Sequence, residues 1–157
     1  MAIDSKVELD VLDWRLLQAL QRDARASYAE LGRVVGLSPP AVAERVRRLE
    51  DVGVIQGYRA IVDPAKVGLA ITAIIRMRCP GEMCGRLGDL IAHIPEVIDC
   101  RRVTGEDSGI LTVVATSIRH LQEVIDELVK FGSTTTLVVT ATAFRDRLID
   151  RAIVERA

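Results

Sequence analysis

The sequence predicts an α+β chain in two parts, and three observations predict it. Residues 27–53 read as two short capped helices separated by a tight turn. After residue 68 the periodicity changes from helical to β-branched alternation, and the elements that follow run strand, helix, strand, strand, helix, strand. The expected division is residues 1–53 as a helical unit, 54–68 as an extended linker and 69–157 as the mixed unit.

With 157 residues, 49% of them hydrophobic and 27% charged, the chain has the composition of an ordinary globular protein rather than a disordered one. No apolar run approaches the ~20 residues that span a bilayer, and the amino terminus lacks the basic region and apolar core of a secretory signal. A cytoplasmic chain without membrane attachment is expected. Cys79, Cys84 and Cys100 are odd in number and lack the close pairing of zinc sites, so they read as reduced thiols, and no metal or other cofactor is expected.

Leu9, Leu12, Leu16, Leu17 and Leu20 recur at helical spacing, with Asp10 and Asp13 where carboxylates favour the start of a helix. The next helix opens at Ser27, whose hydroxyl accepts from the Glu30 N–H while the Glu30 carboxylate reaches back. Its inner face is read as Leu31, Val34 and Val35. Gly36 ends it in the left-handed region, and Leu37 plugs the turn. Ser38 is the expected N-cap of the third helix and Pro39 its first residue, while Val42, Val46 and Leu49 form one buried stripe. Glu44, Arg45, Arg47 and Arg48 occupy the opposite face, and Gly53 closes the helix.

This is a helix-turn-helix, expected to be of the winged type. In such a motif the start of the second helix approaches base edges while the preceding helix braces the phosphate backbone of double-stranded DNA. Ser38, Pro39, Pro40, Ala41, Glu44 and Arg45 are therefore placed nearest the major groove. Arg45 and Arg48 are read as contacts to phosphate or, bidentately, to guanine; Glu44 accepts from cytosine or orients an arginine. Arg25, Ser27 and Tyr28 suit phosphate anchoring. Arg47 is assigned to packing or a salt bridge, and a merely solvated charged face is the alternative for the whole group. The net charge is −1, but between residues 14 and 48 seven arginines face three carboxylates, a local +4.

In the second part, residues 69–78 read as a strand, and 82–93 as a helix burying Met83, Leu87, Leu90, Ile91 and Ile94 until Pro95 stops it. Residues 97–103 and 110–116 read as strands. Ser117 caps a helix with Ile118, Leu121, Ile125 and Leu128 inward, and a last strand runs from 134 to about 144. The order βαββαβ is the ferredoxin-like arrangement, four antiparallel strands with both helices on one face. Apolar groups fall on both sides of the sheet, so a homodimer joined through the open face is expected, against a monomer that tolerates the exposure. The segment 145–157 is either a helix or a frayed tail.

The stretch LDVLDWRLLQALQRDARASYAELGRVVGLSPPAVAERVRRLEDVGVIQGYRAIVDPAKVG, with its opening LD, RDAR, GLS turn, ERVRRLE helix and GVIQGY exit in order, resembles the Lrp/AsnC family of feast/famine transcriptional regulators. The resemblance runs from Leu9 nearly to the carboxyl end. It implies an amino-terminal DNA reader, a linker and a RAM-type ferredoxin-like domain that dimerises and often assembles dimers into octamers. It also implies binding of an amino acid or related small molecule between dimers, with RVTGEDSGIL as the sensing segment. On that footing Thr104, Gly105, Glu106, Asp107, Ser108 and Gly109 are the effector-binding candidates, completed by Thr134, Thr135 and Thr136. Gly105 and Gly109 let backbone N–H groups approach a carboxylate, and Glu106, Asp107 or Ser108 receive an ammonium group. A plain solvated hairpin turn is the alternative. The family more commonly has an aromatic residue or an aspartate where Ser108 and Gly109 stand.

The function expected is a sequence-specific transcriptional regulator whose operator binding or assembly responds to an amino acid or related metabolite. An effector-independent architectural protein that compacts DNA by oligomerising is the alternative. An enzyme is not expected: no nucleophile is paired with a base, and His93 and His120 read as structural or solvated.

Overall fold

The computed structural model describes residues 7–156, so the outer limits expected for the two domains, residues 1 and 157, lie outside it. The described residues form two compact units, 7–60 with 144–156, and 61–143. The carboxyl-terminal segment therefore groups with the helical unit rather than with the mixed unit to which the sequence had assigned it.

In the first unit, helix α1 (Val11–Arg22) starts at Asp10, which accepts from the Asp13 N–H while the Asp13 carboxylate accepts from the Asp10 N–H. Helix α2 (Tyr28–Val35) has the expected reciprocal cap between Ser27 and Glu30 and ends at Gly36 with φ 75°. Helix α3 (Pro39–Asp51) follows. Leu16, Leu20, Leu31, Val35, Val42 and Val46 make one core, with Leu12, Leu37 and Ile55 packed against it, and Leu49 is fully buried. Val34, expected inside, is 57% exposed, because α2 turns only Leu31, Gly32 and Val35 inward. Gly32 is a close approach that periodicity did not reveal: a Cβ there would lie 2.5 Å from the Leu37 carbonyl oxygen.

The carboxyl-terminal segment is tied to α1 by both edges of one amide. Gln21 donates to the Ile149 carbonyl and accepts from the Ile149 N–H, each at 2.9 Å, just before the short helix α6 (Arg151–Glu155).

In the second unit, strands β1 (Ile71–Arg78), β2 (Val97–Arg102), β3 (Gly109–Ala115) and β4 (Ser133–Val138) form an antiparallel sheet in the order β2-β3-β1-β4. This is the expected ferredoxin-like order. Helices α4 (Leu87–Ile91) and α5 (Ile118–Leu128) share one core with Ala73, Ile75, Met77, Leu111, Val113 and Ala115. The long helix expected over 82–93 is instead a 3-10 segment, Gly81–Arg86, followed by the short α4. Gly81, Gly85 and Gly88 weaken a continuous helix there. On α5 the inward stripe is Leu121, Val124 and Leu128, whereas Ile118 is exposed in the first turn. β4 stops at Val138, short of the expected 144.

Residues paired across strands share a face. Arg101, Ile110, Arg76 and Thr135 form one row on the open face, and Asp99, Thr112, Ile74 and Leu137 form the next. That face mixes aliphatic groups with arginines. Among the described residues, no helix is long and apolar enough to cross a membrane. Cys79 is buried, Cys84 half-buried and Cys100 exposed, all as free thiols.

Candidate functional site

Ser38, Pro39, Pro40 and Glu44 are exposed and Ala41 is half-buried, so the first turns of α3 form an open surface. Ser38 occupies the N-cap position in extended conformation, but its hydroxyl makes no capping bond; the start of α3 rests on the proline at its first position. Pro39 and Pro40 carry no N–H, so the free hydroxyl and the Ala41 N–H are what this end offers to an acceptor. Ahead of and at the start of α2, Arg25, Ser27 and Tyr28 are exposed, with the Ser27 hydroxyl donating to Glu30 at 2.7 Å. That bond holds the Glu30 carboxyl below its ordinary range. Behind Tyr28, the Tyr58 hydroxyl donates to Glu50 at 2.9 Å. Partial burial, and then that carboxylate, push the Tyr58 phenol up to about 12.

The arginines of α3 divide differently from the expectation. Arg45 Nη1 donates to Asp10 Oδ2 at 2.7 Å and to Asp13 Oδ1 at 2.8 Å, and Arg48 Nη2 donates to Asp13 Oδ2. The bond to Asp10 contributes most to raising the Arg45 guanidinium above its ordinary value. Arg47, which had been assigned a salt bridge, is exposed and makes none among the described residues. The reason is angular: Arg45 and Arg48 are three residues apart and face α1 together, while Arg47 points away.

Asp10 and Asp13, read from the sequence only as carboxylates at a helix start, are the partners of Arg45 and Arg48, a pairing that sequence reasoning missed. Asp13 is 1% exposed although charged, and it continues the stripe of Leu16 and Leu20 at i, i+3 and i+7. A carboxylate set into an apolar stripe is the signal that identifies it, since a buried charge needs a partner. With both aspartates counted, the charge from residue 10 to 48 is +2 rather than the +4 read from residue 14 onwards.

In the second unit the loop between β2 and β3 is braced by β1. Arg76 Nε donates to Asp107 at 2.7 Å, and Arg78 donates to the Glu106 carbonyl at 2.9 Å and to its carboxylate at 3.0 Å. The Asp107 contact raises the Arg76 guanidinium further above its usual value. Ser108 faces inward: its N–H donates to the Met77 carbonyl at 2.7 Å, and its hydroxyl accepts from the Cys79 N–H at 3.0 Å. Cys84 Sγ lies 3.1 Å from the same hydroxyl. Thr104, Gly105 and Glu106 are exposed, and Gly105 has φ 112°.

Gly109 is not a loop residue. It is buried at the start of β3, opposite Met77 and Arg102, and a Cβ there would come within 2.7 Å of Leu87 Cδ2. Its lack of a side chain lets β3 lie close to Leu87. Thr134 and Thr136 pair with Met77 and Ile75 and so lie on the helix side of the sheet. Thr135 instead pairs with Arg76 and shares the open face with Arg76 and Asp107. Register thus brings together Arg76, Arg78, Glu106, Asp107 and Thr135, leaving Thr134, Thr136, Ser108 and Gly109 to shape the strands behind them.

His93 lies 3.5 Å from Glu127. His120 is half-buried rather than on an exposed face, with Nε2 at 3.0 Å from Glu96 and Nδ1 near the Thr116 N–H.

Residues 9–50 match the AsnC-type helix-turn-helix domain, and residues 72–149 match the Lrp/AsnC ligand binding domain. The chain is 39% identical over 135 residues to the HTH-type transcriptional regulator YezC of Bacillus subtilis, covering 86% of this chain and 96% of that one. In fold it is similar to a transcriptional regulator of Neisseria meningitidis solved in complex with L-Met, with TM-score 0.85, 26% identity and coverage of 94% of this chain and 99% of the other. It is similar also to a feast or famine regulatory protein of M. tuberculosis complexed with L-methionine, with TM-score 0.84, 34% identity and coverage of 89% and 97%.

Proposed function

Because this chain belongs to the Lrp/AsnC family of DNA-binding transcriptional regulators, we propose that it reads a pseudo-palindromic operator as a dimer and that an amino acid held by the second unit shifts that binding. The observation that carries the DNA reading is the open first turn of α3, Ser38 to Ala41, standing free beside an exposed charged face. One reading helix gives few base contacts, and two-fold symmetry supplies a second at a fixed spacing. The open sheet face supports pairing of two copies, since Ile74, Ile110 and Leu137 lie there among arginines and carboxylates that can pair across a two-fold axis. Further assembly of dimers into octamers follows the family pattern.

For the ligand, the cluster of Arg76, Arg78, Glu106 and Asp107 offers both charges that a zwitterion needs: guanidinium for the carboxylate and carboxylates for the ammonium. The two solved relatives that hold L-methionine make it the first candidate.

Duplex binding tests the DNA reading. If roughly four to six phosphates are neutralised per dimer, the logarithm of affinity falls against the logarithm of salt with a slope of about −4 to −5. A complex indifferent to salt overturns it. Binding that grows with fragment length but ignores sequence turns the reading into that of an architectural protein. A sedimentation measurement finding only monomers overturns the dimer.

A further inference from the structure

Among the described residues, Asp13 is the only charged side chain that is buried, and both of its oxygens are spent on the helix that carries the DNA-reading surface. We infer that Asp13, seconded by Asp10, is a specificity-determining positioning residue: it aims Arg45 and Arg48 and cancels their charge, so that α3 favours its operator over bulk duplex. This rests on the reading of α3 as the DNA-facing helix.

The geometry separates two properties of an arginine that usually travel together, direction and charge. A guanidinium has five N–H donors in a rigid fork. Arg45 spends Nη1 on the two aspartates and Arg48 spends Nη2 on Asp13. Among the described residues Nε and the second Nη of each have no acceptor, and both side chains remain partly exposed, at 30% and 47%. Each fork is therefore gripped on one prong and presented on the others. A side chain already held loses less rotamer freedom when it meets a base edge or phosphate, which favours the contact for which it is aimed.

Charge acts the other way. Two arginines and two aspartates sum to zero, and sequence-independent binding depends on uncompensated positive charge set against phosphates. The clamp thus keeps the directional donors while removing most of the attraction that treats every duplex alike. Arg47, exposed and without a carboxylate partner, keeps its full charge and takes the phosphate role on this face.

A plain strut between α1 and α3 would make the same bonds but predicts the opposite result. If Asp13 served only to hold the helices, neutralising it would weaken every complex. As a clamp, its neutralisation frees charge and strengthens binding to arbitrary duplex.

The full-length protein is compared with its Asp13→Asn and Asp10→Asn variants by fluorescence anisotropy across a salt series. The probes are a duplex recovered by the wild-type protein from a random pool and a scrambled duplex of the same composition. Asparagine preserves side-chain volume and, at residue 10, the capping role. For Asp13→Asn, affinity for the scrambled duplex is expected to rise about threefold or more, and the salt slope to steepen by about 2 per dimer, one freed charge for each reading helix. The preference for the selected duplex is expected to fall about tenfold. Asp10→Asn is expected to move all three in the same direction by less; half-exposed, it carries the test if the buried variant does not fold. Equal weakening on both duplexes with an unchanged slope, or no change in either variant, overturns the inference. Failure of the wild-type protein to bind either duplex overturns the DNA reading itself and this inference with it.

Discussion

Helix α3 and the loop between β2 and β3 are both held by arginine–carboxylate pairs, yet the two sets differ in burial. In the first unit the acceptor, Asp13, is sealed between α1 and α3, and a buried carboxylate left without its partner is costly by several kcal/mol. In the second unit Arg78 with Glu106 lies largely in solvent and Arg76 with Asp107 is half-exposed, and an ion pair open to solvent contributes about 0–1 kcal/mol. The difference teaches that one charge network fixes a geometry and the other is weak enough to be rearranged. On the proposed reading a zwitterion entering the loop would displace weak bonds with bonds of its own, whereas nothing of comparable strength competes with Asp13 for Arg45 and Arg48 except the phosphates and bases of a duplex.

Two glycines sharpen the contrast, beginning with the largest expected effect. Gly32→Ala puts a methyl group 2.5 Å from the Leu37 carbonyl, a backbone atom fixed by the turn. The gain in helix propensity, about 1 kcal/mol, does not offset the clash, and a net loss of about 1–3 kcal/mol is expected in urea denaturation. Gly109→Ala meets the far end of the Leu87 side chain instead, which can swing aside. Its cost is expected below about 1 kcal/mol by the same measurement. Equal losses at the two sites would erase the distinction between a contact fixed by backbone and one made by a side chain free to move.

Arg76→Gln separates stability from ligand binding. Removing a surface pair should change the unfolding free energy by under about 1 kcal/mol. Calorimetric titration should nonetheless show L-methionine affinity reduced about tenfold or more, the weight of one charge-assisted bond to the carboxylate. Unchanged affinity would remove Arg76 from the ligand site.

The smallest effect is a pH dependence. The Asp13 N–H, aided by Arg45, holds the Asp10 carboxyl below its ordinary value. A carboxyl depressed in the folded state stabilises above its unfolded value, about 4, and that contribution disappears as pH falls through the folded value. The Tm difference between the wild-type protein and Asp10→Asn should therefore be level from about pH 5 to 7 and shrink below about pH 4. A gap that widens on acidification would contradict the assignment.

What could be read from the sequence was local. The Ser27–Glu30 cap, the left-handed Gly36, Pro39 at the head of α3 and the stripe Val42, Val46 and Leu49 all depend on residues within seven positions of one another. Strand order in the second unit followed from the alternation of patterns and a small set of allowed topologies. What escaped depends on separation. Asp13 meets Arg45 across 32 positions and Gln21 meets Ile149 across 128, distances over which periodicity carries no information. The choice of Thr135 over Thr134 and Thr136 depended on the β1–β4 register, where a slip of one residue reverses every side chain. The long helix expected before Pro95 failed because an apolar pattern was given more weight than the glycines inside it.

Control of duplex binding by an amino acid is the central proposal. The most direct measurement is fluorescence anisotropy of the selected duplex, titrated with this protein in the absence and presence of saturating L-methionine and then each other proteinogenic amino acid. At least one amino acid is expected to shift the midpoint severalfold, with the shift abolished by Arg76→Gln. Identical curves across the whole set would contradict it.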